Sequence, residues 1–410
     1  MDARAMSFVR TPLFAPQGLL ALGFTALSLE AMVILVVGIA LEILATGLWH
    51  SDDVNRYVVE GRQILAGQNP YAVPPADLAA RALVPEGIAR RVNHPEMTAI
   101  YPPLALASHA GVAALSPTPA AFTHAAWIAT VAGLLLVLAL LERESLYPAH
   151  ILAAAWNPVL PLFAVGEAHN DVFMAVVLAA ALLLLAHDRR RLSIVAATAA
   201  CLLKPFAVAA LPVVLSADRW RRWWLVPILA AAAFAPFVLA GPGIFESLVA
   251  FGGDMHFHGA LEPLVREAAR ASLPETLVEP AVRAALAALL VAGLAWLWIR
   301  RGGAPAPTLT VRALAVVLLC SPTLHPWYFI ALVFFLPFAR TWALPLWTAC
   351  APVYWLHGVA IQSTGAWTET RWVTALAHWP AVLLMAWEAF GPAREPREAV
   401  RALLLERASS

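Results

Sequence analysis

Charge is what this sequence has least of. Only 13% of its 410 residues are Asp, Glu, Lys or Arg, against 61% hydrophobic, whereas a soluble globular chain carries roughly 25% charged residues. Water is therefore not its main solvent. Net charge is nearly absent too, at +1 with the histidines neutral, which argues against a nucleic-acid partner, because phosphate binding needs a concentrated basic surface. Cysteine is scarce: Cys201, Cys320 and Cys350 stand far apart in apolar segments, without the close spacing of a zinc site or a disulfide framework. They read as small core residues. No repeat of fixed period and no low-complexity linker divides the chain, so residues 1–392 are expected to form a single transmembrane domain followed by a cytoplasmic tail at 393–410. Also missing is a small-residue cleavage site after Arg4 and Arg10, so the first apolar run is expected to remain as an uncleaved anchor.

What is present is apolar and long. Residues 120–141, 171–186 and 222–240 are almost uninterrupted Ala, Val, Leu, Ile, Phe and Trp, each close to the ~20 residues a helix needs to cross hydrocarbon. The expected fold class is all-α, a polytopic transmembrane helical bundle of about 10 to 12 membrane helices, including broken or re-entrant ones. Residues 18–49 would make a helix of about 48 Å at ~1.5 Å per residue, too long for a ~30 Å core. A span over 28–49 puts Glu30 near the inner interface and brings Asp52 and Asp53 just beyond the outer one.

Arginine orients the rest, because Arg and Lys collect in cytoplasmic loops. Arg189 to Arg191, Arg219 to Arg222, Arg300 with Arg301, and Arg340 all fall inside on one threading. That threading leaves a first extracytoplasmic loop with juxtamembrane helices at 50–118 and a second loop at 241–279. Spans follow near 120–141, 149–166, 171–187, 222–240, 280–299, 309–321, 326–339, 342–358 and 371–390. Residues 193–215 are expected to be a re-entrant hairpin broken at Lys204 and Pro205, since a crossing there would export Arg219, Arg221 and Arg222. Lys204, inside an apolar segment, must pair, snorkel or meet an anionic ligand, and Glu30 or Glu42 are the acids considered as partners. Trp220, Trp223 and Trp224 read as an ordinary interfacial belt.

On this threading the polar residues converge on one interface. Asp52, Asp53, Arg56, Tyr57, Glu60, Arg62, His94, Tyr101, His169, Asn170, Asp171, His256, His258, His325 and Tyr328 all lie at or near it. Ionisable groups beside hydrocarbon are costly unless paired or hydrated, so by default they mark a site. His169, Asn170 and Asp171 could ligate a metal, as could His256, His258 and Asp254, since imidazole and carboxylate both bind divalent ions. Hydrogen bonding to ligand hydroxyls is favoured for the first group and interfacial capping is an equal alternative for the second, so no metal and no cofactor is expected.

Proline punctuates these segments in a telling order. Ser51-Asp52-Asp53-Val54-Asn55-Arg56-Tyr57, Glu60-Gly61-Arg62, Gly67-Gln68-Asn69-Pro70-Tyr71, His94-Pro95-Glu96 and Ile100-Tyr101-Pro102-Pro103 come first. Trp156-Asn157-Pro158, His169-Asn170-Asp171, Leu203-Lys204-Pro205-Phe206 and Ser321-Pro322-Thr323-Leu324-His325-Pro326-Trp327-Tyr328 follow. Together, across roughly residues 45–340, they resemble the GT-C superfamily of integral membrane glycosyltransferases, close to bacterial polyprenyl-phosphate-mannose-dependent mannosyltransferases. No single tripeptide is specific; the order and spacing are. Glu60 departs conservatively from the Asp found in many relatives.

The resemblance implies a base in the first outer loop, matching Asp52 or Asp53, with Asp53 preferred from the Asp-x-x-Arg-Tyr spacing. It implies inverting transfer of a hexose, mannose first, from a polyprenyl-phosphate-linked donor to a lipid or glycan acceptor outside the bacterial inner membrane, by a monomer among membrane lipids. One positioned carboxylate suffices, because polyprenyl phosphate is already a good leaving group; a glycosidase would need paired carboxylates flanking the bond. Arg56, Arg62, His325 and Lys204 are the expected donor-phosphate contacts. Tyr57, Glu60, Tyr101, His169, Asn170, Asp171, Trp327 and Tyr328 are the expected sugar and acceptor contacts. The competing class is a transporter or flippase of a lipid-linked sugar, which would be expected to show paired repeats and a midplane site.

Overall fold

A computed structural model describes residues 29–47, 50–254, 256–358 and 369–390. Arg4, Arg10, the start of the first apolar run and the tail at 393–410 lie outside the described residues. Among those described, the regular structure is helical, and two isolated bridges join Phe257 and His258 to Thr323.

Helix boundaries follow local chemistry. α1 (Leu29–Ala45) ends before α2 (Asp53–Leu65), whose first residue is itself an acid, the favourable charge at a helix N-terminus. After a loop with two short helices, α3 (Pro103–Leu115) starts on proline at its first position, where the lost amide hydrogen has no partner to lose. α4 (Pro119–Arg143) does the same, with the Thr118 hydroxyl accepting from the Ala121 amide. The next apolar stretch is not straight. Pro148–Ala155 and Leu160–Gly166 meet at 64°, and the second piece is a π-helix, a wide winding that recurs at functional sites. Asn157 serves the break: its side-chain oxygen accepts from the Val159 amide and its amide reaches Thr348 at 2.8 Å.

α5 (Asp171–Ala186) and α6 (Arg190–Leu203) then run side by side. α6 stops where Lys204 turns extended before Pro205, since proline disfavours helical geometry in the residue before it. The expected break is there, followed by helical turns from Pro205 to Ala217. Farther on, Leu225–Gly241 and Gly243–Ala250 form a second bent pair at 113°. The expected outer loop 241–279 holds α7 (Glu262–Ser272). α8 (Glu275–Ile299), α9 (Ala306–Leu319), α10 (Phe329–Phe335) and α11 (Arg371–Phe390) complete the described helices used below.

Among the described residues three helices, α4, α8 and α11, are long and apolar enough to cross a bilayer, and counting each bent pair as one span raises this to five. Five shorter apolar segments accompany them. α8 is the most telling, because only 11% of its apolar window is buried and Leu289, Val291, Trp296 and Ile299 stand exposed. A continuous apolar face of this kind is not left to water; lipid covers it. The buried centre is α10, every residue of which is enclosed. Gly133 of α4 admits Phe334 so closely that a Cβ there would lie 2.4 Å from the ring.

Candidate active site

Asp53 is aimed inward and Asp52 is not. The Asp53 carboxylate accepts from the Asn93 amide through Oδ1, and its Oδ2 lies 3.5 Å from His169 Nδ1. Asp52 is exposed and meets only the Ser51 hydroxyl, at 3.4 Å. Burial alone would push the Asp53 carboxyl up, but His169, the Asn93 amide, Lys204 and His325 outweigh it and hold the group below the usual carboxylate range. For Asp52, whose carboxyl is partly desolvated by its surroundings although the residue reaches the surface, that desolvation and the adjacent Asp53 prevail, and its carboxyl is raised. The two acids therefore differ in kind.

Asn93 is itself fixed. Arg56, 3% exposed, donates to its side-chain oxygen at 3.2 Å and to its carbonyl at 2.7 Å, and also reaches the carbonyls of His94 and Met97 and the Glu60 carboxylate. With its oxygen taken by a guanidinium, the Asn93 amide must point its N–H at Asp53. Arg56 is thus engaged throughout by the protein. Arg62 is directed elsewhere, toward the Leu83 carbonyl at 3.3 Å, and the His94 side chain is exposed.

The turn between the π-helix and α5 carries the next part. His169 is fully buried and stacks on Trp327 at 3.9 Å and 14°, while His325 stacks on the other face of Trp327 at 4.4 Å and 7°. Both faces of that indole are covered, so it does not offer a sugar-stacking platform. His325 Nδ1 lies 2.9 Å from the Tyr354 hydroxyl. Burial lowers the His325 imidazole to about 3, with His169 and Lys204 adding to this and Asp53 opposing it. Asp53, His169, Trp327 and His325 therefore form one contiguous group, drawn from segments more than a hundred residues apart.

Beneath it lies a second polar layer. Lys204 pairs with Asp171 at 2.7 Å and reaches Asn170 at 3.2 Å, between the rings of Tyr101 and Tyr328 at 5.1 and 5.7 Å. Neither acid first considered as its partner is near it in this way: Glu30 takes the Tyr147 hydroxyl, and the buried oxygens of Glu42 have no partner. Glu42 arrives from α1, whereas Asp171 begins the helix packed against the one Lys204 ends. Asn170 also meets His109 at 3.1 Å and the Tyr57 hydroxyl at 3.5 Å. His109 lies 3.3 Å from Glu60 and stacks on Tyr57, and the Tyr101 hydroxyl reaches that of Tyr57 at 3.5 Å. α2 and α3 approach closely enough for this because residue 61 is glycine: a Cβ would sit 2.5 Å from the His109 carbonyl.

His256 and His258 are not part of this group. His256 bonds Glu279 at 2.8 Å. His258 is packed with His357 and His378, its Nδ1 2.9 Å from His357 and its carbonyl 2.9 Å from His378. No group of three or more His, Cys, Asp or Glu side chains with metal-holding geometry occurs among the described residues. Sequence reasoning missed Asn93, His109, Tyr354 and Glu167, the last 3.0 Å from His169.

An open polar cavity of about 510 Å³ is lined by Asp188, Arg189, Arg190, Arg191, Leu192, Asp218, Arg221 and Arg222. It is at the far end of α5, which starts at Asp171 and runs 16 residues, about 24 Å at ~1.5 Å per residue. The basic cluster and the Asp53 group therefore lie at opposite ends of α5. Residues 19–219 match the family described as alpha-(1->6)-mannopyranosyltransferase, N-terminal domain. Asp53, Asn93, His169, Asp171 and Lys204 fall within the match; His325, Trp327 and Tyr328 fall beyond it. No curated protein matches the chain.

Proposed function

Because the chain belongs over residues 19–219 to a GT-C-type alpha-mannosyltransferase family, we propose that it moves mannose, with inversion, from a polyprenyl-phosphate donor to a hydroxyl of a lipid or glycan acceptor. Asp53 is the base. The observation that carries this reading is its environment: a carboxylate just beyond a membrane helix, held below its usual range by Asn93, His169, Lys204 and His325, is ionised and oriented before any hydroxyl arrives. The acceptor oxygen attacks the anomeric carbon, its proton passes to Asp53, and the carbon–oxygen bond to phosphate breaks with its electron pair leaving on the phosphate. A polyprenyl phosphate leaves without protonation, so one carboxylate is enough.

Charge growing on that phosphate needs donors already in position. His325 and Lys204 supply them beside Asp53. His325 Nδ1 is held by the Tyr354 hydroxyl at 2.9 Å; in the tautomer in which that hydroxyl donates, the ring keeps its proton on Nε2 as a neutral donor. Arg56 and Arg62 act instead on the loop that presents Asn93. His169, Asn170, Asp171, Tyr57, Glu60, Tyr101 and Tyr328 build the walls against which sugar and acceptor are held, and Trp327, sandwiched between His169 and His325, fixes those two rings. The reaction takes place on the extracytoplasmic face of the bacterial inner membrane, which is supported by the separation of Asp53 from the arginines at the far end of α5. A flippase of the same lipid would have no use for an ionised base at the interface.

Radiolabelled polyprenyl-phosphate-mannose supplied to membranes containing the intact chain, Asp53→Asn or Asp52→Asn tests the assignment. Transfer to endogenous acceptors is expected with the intact chain and with Asp52→Asn, and is lost with Asp53→Asn. Equal transfer by all three removes the base.

A further inference from the structure

Glu167 stands two residues before His169 and has no part in the transfer as described. It is 8% exposed. His169 Nε2 lies 3.0 Å from its Oε2, and Trp355 donates its indole N–H to Oε1 at 3.1 Å. The residue between them, Ala168, has φ of 56°, a left-handed conformation that residues other than glycine rarely adopt. That turn lets side chains two positions apart face each other.

The opposite edge of the same imidazole faces Asp53. His169 Nδ1 is 3.5 Å from Asp53 Oδ2 and, fully buried, has no hydrogen-bond partner. The ring cannot swing away, because Trp327 covers its face and is in turn covered by His325. An imidazole with a carboxylate at each nitrogen satisfies both only when each nitrogen carries a hydrogen.

We propose that Glu167 is a positioning residue for the transfer: acting through His169, it keeps the ring oriented with one N–H toward each carboxylate, so that Asp53 waits ionised for the acceptor hydroxyl. This rests on the reading of Asp53 as the base. In the reaction Asp53 gains the hydroxyl proton and the phosphate gains the electron pair, while Glu167 and His169 keep their protonation. The proton later leaves Asp53 to outer water.

The other titratable groups facing Asp53 are Asp52 beside it, Lys204 at the end of α6 and the neutral His325 before Pro326. Lys204 is itself paired with Asp171. The phenols of Tyr57, Tyr101, Tyr328 and Tyr354 close the remaining sides. Among these groups only His169 lies within 4 Å of Asp53 as an ion-pair partner, so the state of that ring has the largest leverage.

The experiment is the pH dependence of mannosyl transfer by the full chain in membranes, for the intact protein, Glu167→Gln, Glu167→Asp, His169→Gln, the Glu167→Gln/His169→Gln double variant and Asp53→Asn. Glu167→Gln is expected to move the acid limb about one pH unit upward, the low end of what an opposite charge at this distance does to a carboxylate, with the donor KM unchanged. Glu167→Asp should fall between the two. The double variant should shift no further than His169→Gln alone, because both act through one ring. A uniform loss of rate at every pH, an unmoved limb, or additive shifts would overturn the role of Glu167. Should Glu167→Gln not assemble in the membrane, Glu167→Asp and His169→Gln carry the same comparison. If Asp53→Asn remains active, the base reading fails; if it is inactive and the Glu167→Gln limb stays put, only the present inference fails.

Discussion

Replacing Asn93 with alanine removes the hydrogen bond to Asp53 Oδ1 without touching either acid. A hydrogen bond to a charged group is worth about 1.5–3 kcal/mol, and one pKa unit corresponds to about 1.4 kcal/mol, so the Asp53 carboxyl should rise by about 1–2 units. Its side chain is only 15% exposed, which leaves little discount for screening by water. The direction is fixed by which form the bond favours: the amide stabilises the carboxylate, so its loss raises the proton affinity. Transfer requires the carboxylate, and the acid limb of kcat/KM, which reports the free enzyme, should therefore move up by the same 1–2 units. The intact limb lies below the ordinary carboxylate value, given the depressed group. The variant should thus lose most activity near pH 4 to 5 and little at pH 7. Stability moves consistently, since a depressed carboxyl contributes stability above its unfolded value and loses it as pH falls through the folded one; Asn93→Ala reduces that contribution. A limb that stays in place, or moves down, refutes the reasoning, and an equal loss at all pH values would show that Asn93 only supports the loop.

The buried ion pair of Lys204 and Asp171 predicts that Lys204→Met alone lowers stability by about 3–5 kcal/mol, because it strands a buried carboxylate. Lys204→Met with Asp171→Leu should recover part of the loss in a thermal melt in detergent. Gly61→Ala, whose Cβ would meet the His109 carbonyl at 2.5 Å, should cost about 1–3 kcal/mol by forcing α2 from α3; an unchanged melting temperature would deny that contact. In a chain freed of its three cysteines, Asp77→Cys should react with a membrane-impermeant thiol reagent from outside and Arg191→Cys only after permeabilisation. The reverse pattern would invert the proposed orientation.

The helical architecture was legible because hydropathy and proline act locally. The breaks at Asn157-Pro158 and Lys204-Pro205 follow from what proline does to its own helix, and the observed segments lie close to the expected spans. Partner identity was less legible. Arg56 was expected to meet a phosphate and instead holds the carbonyls of Asn93, His94 and Met97; every residue has a carbonyl, so sequence carries no mark of which loop a guanidinium will hold. Asn93 is a neutral amide in an irregular loop, with no periodicity to flag it. Glu167 ends an apolar run and reads as an ordinary interfacial residue. His258 faces His357 and His378 from about a hundred residues away, a proximity that only tertiary packing creates.

Those unreadable contacts have a common consequence for the proposed chemistry. Besides Asp52 at the exposed rim, Glu60, Glu167 and Asp171 bring carboxylates to the site, and the cations Arg56 and Lys204 answer Glu60 and Asp171, which leaves Asp53 and Glu167 on either side of His169. An anionic donor entering beside the remaining two carboxylates would be repelled unless the ring between them carries charge. During transfer the total does not change: Asp53 loses one negative charge as the phosphate gains one. What changes is where the charge lies, away from the Asn93 side of the site and toward Lys204 and His325. Groups placed on that receiving side stabilise the transition state more than the ground state. On this account His325→Ala should lower kcat more than it raises the donor KM.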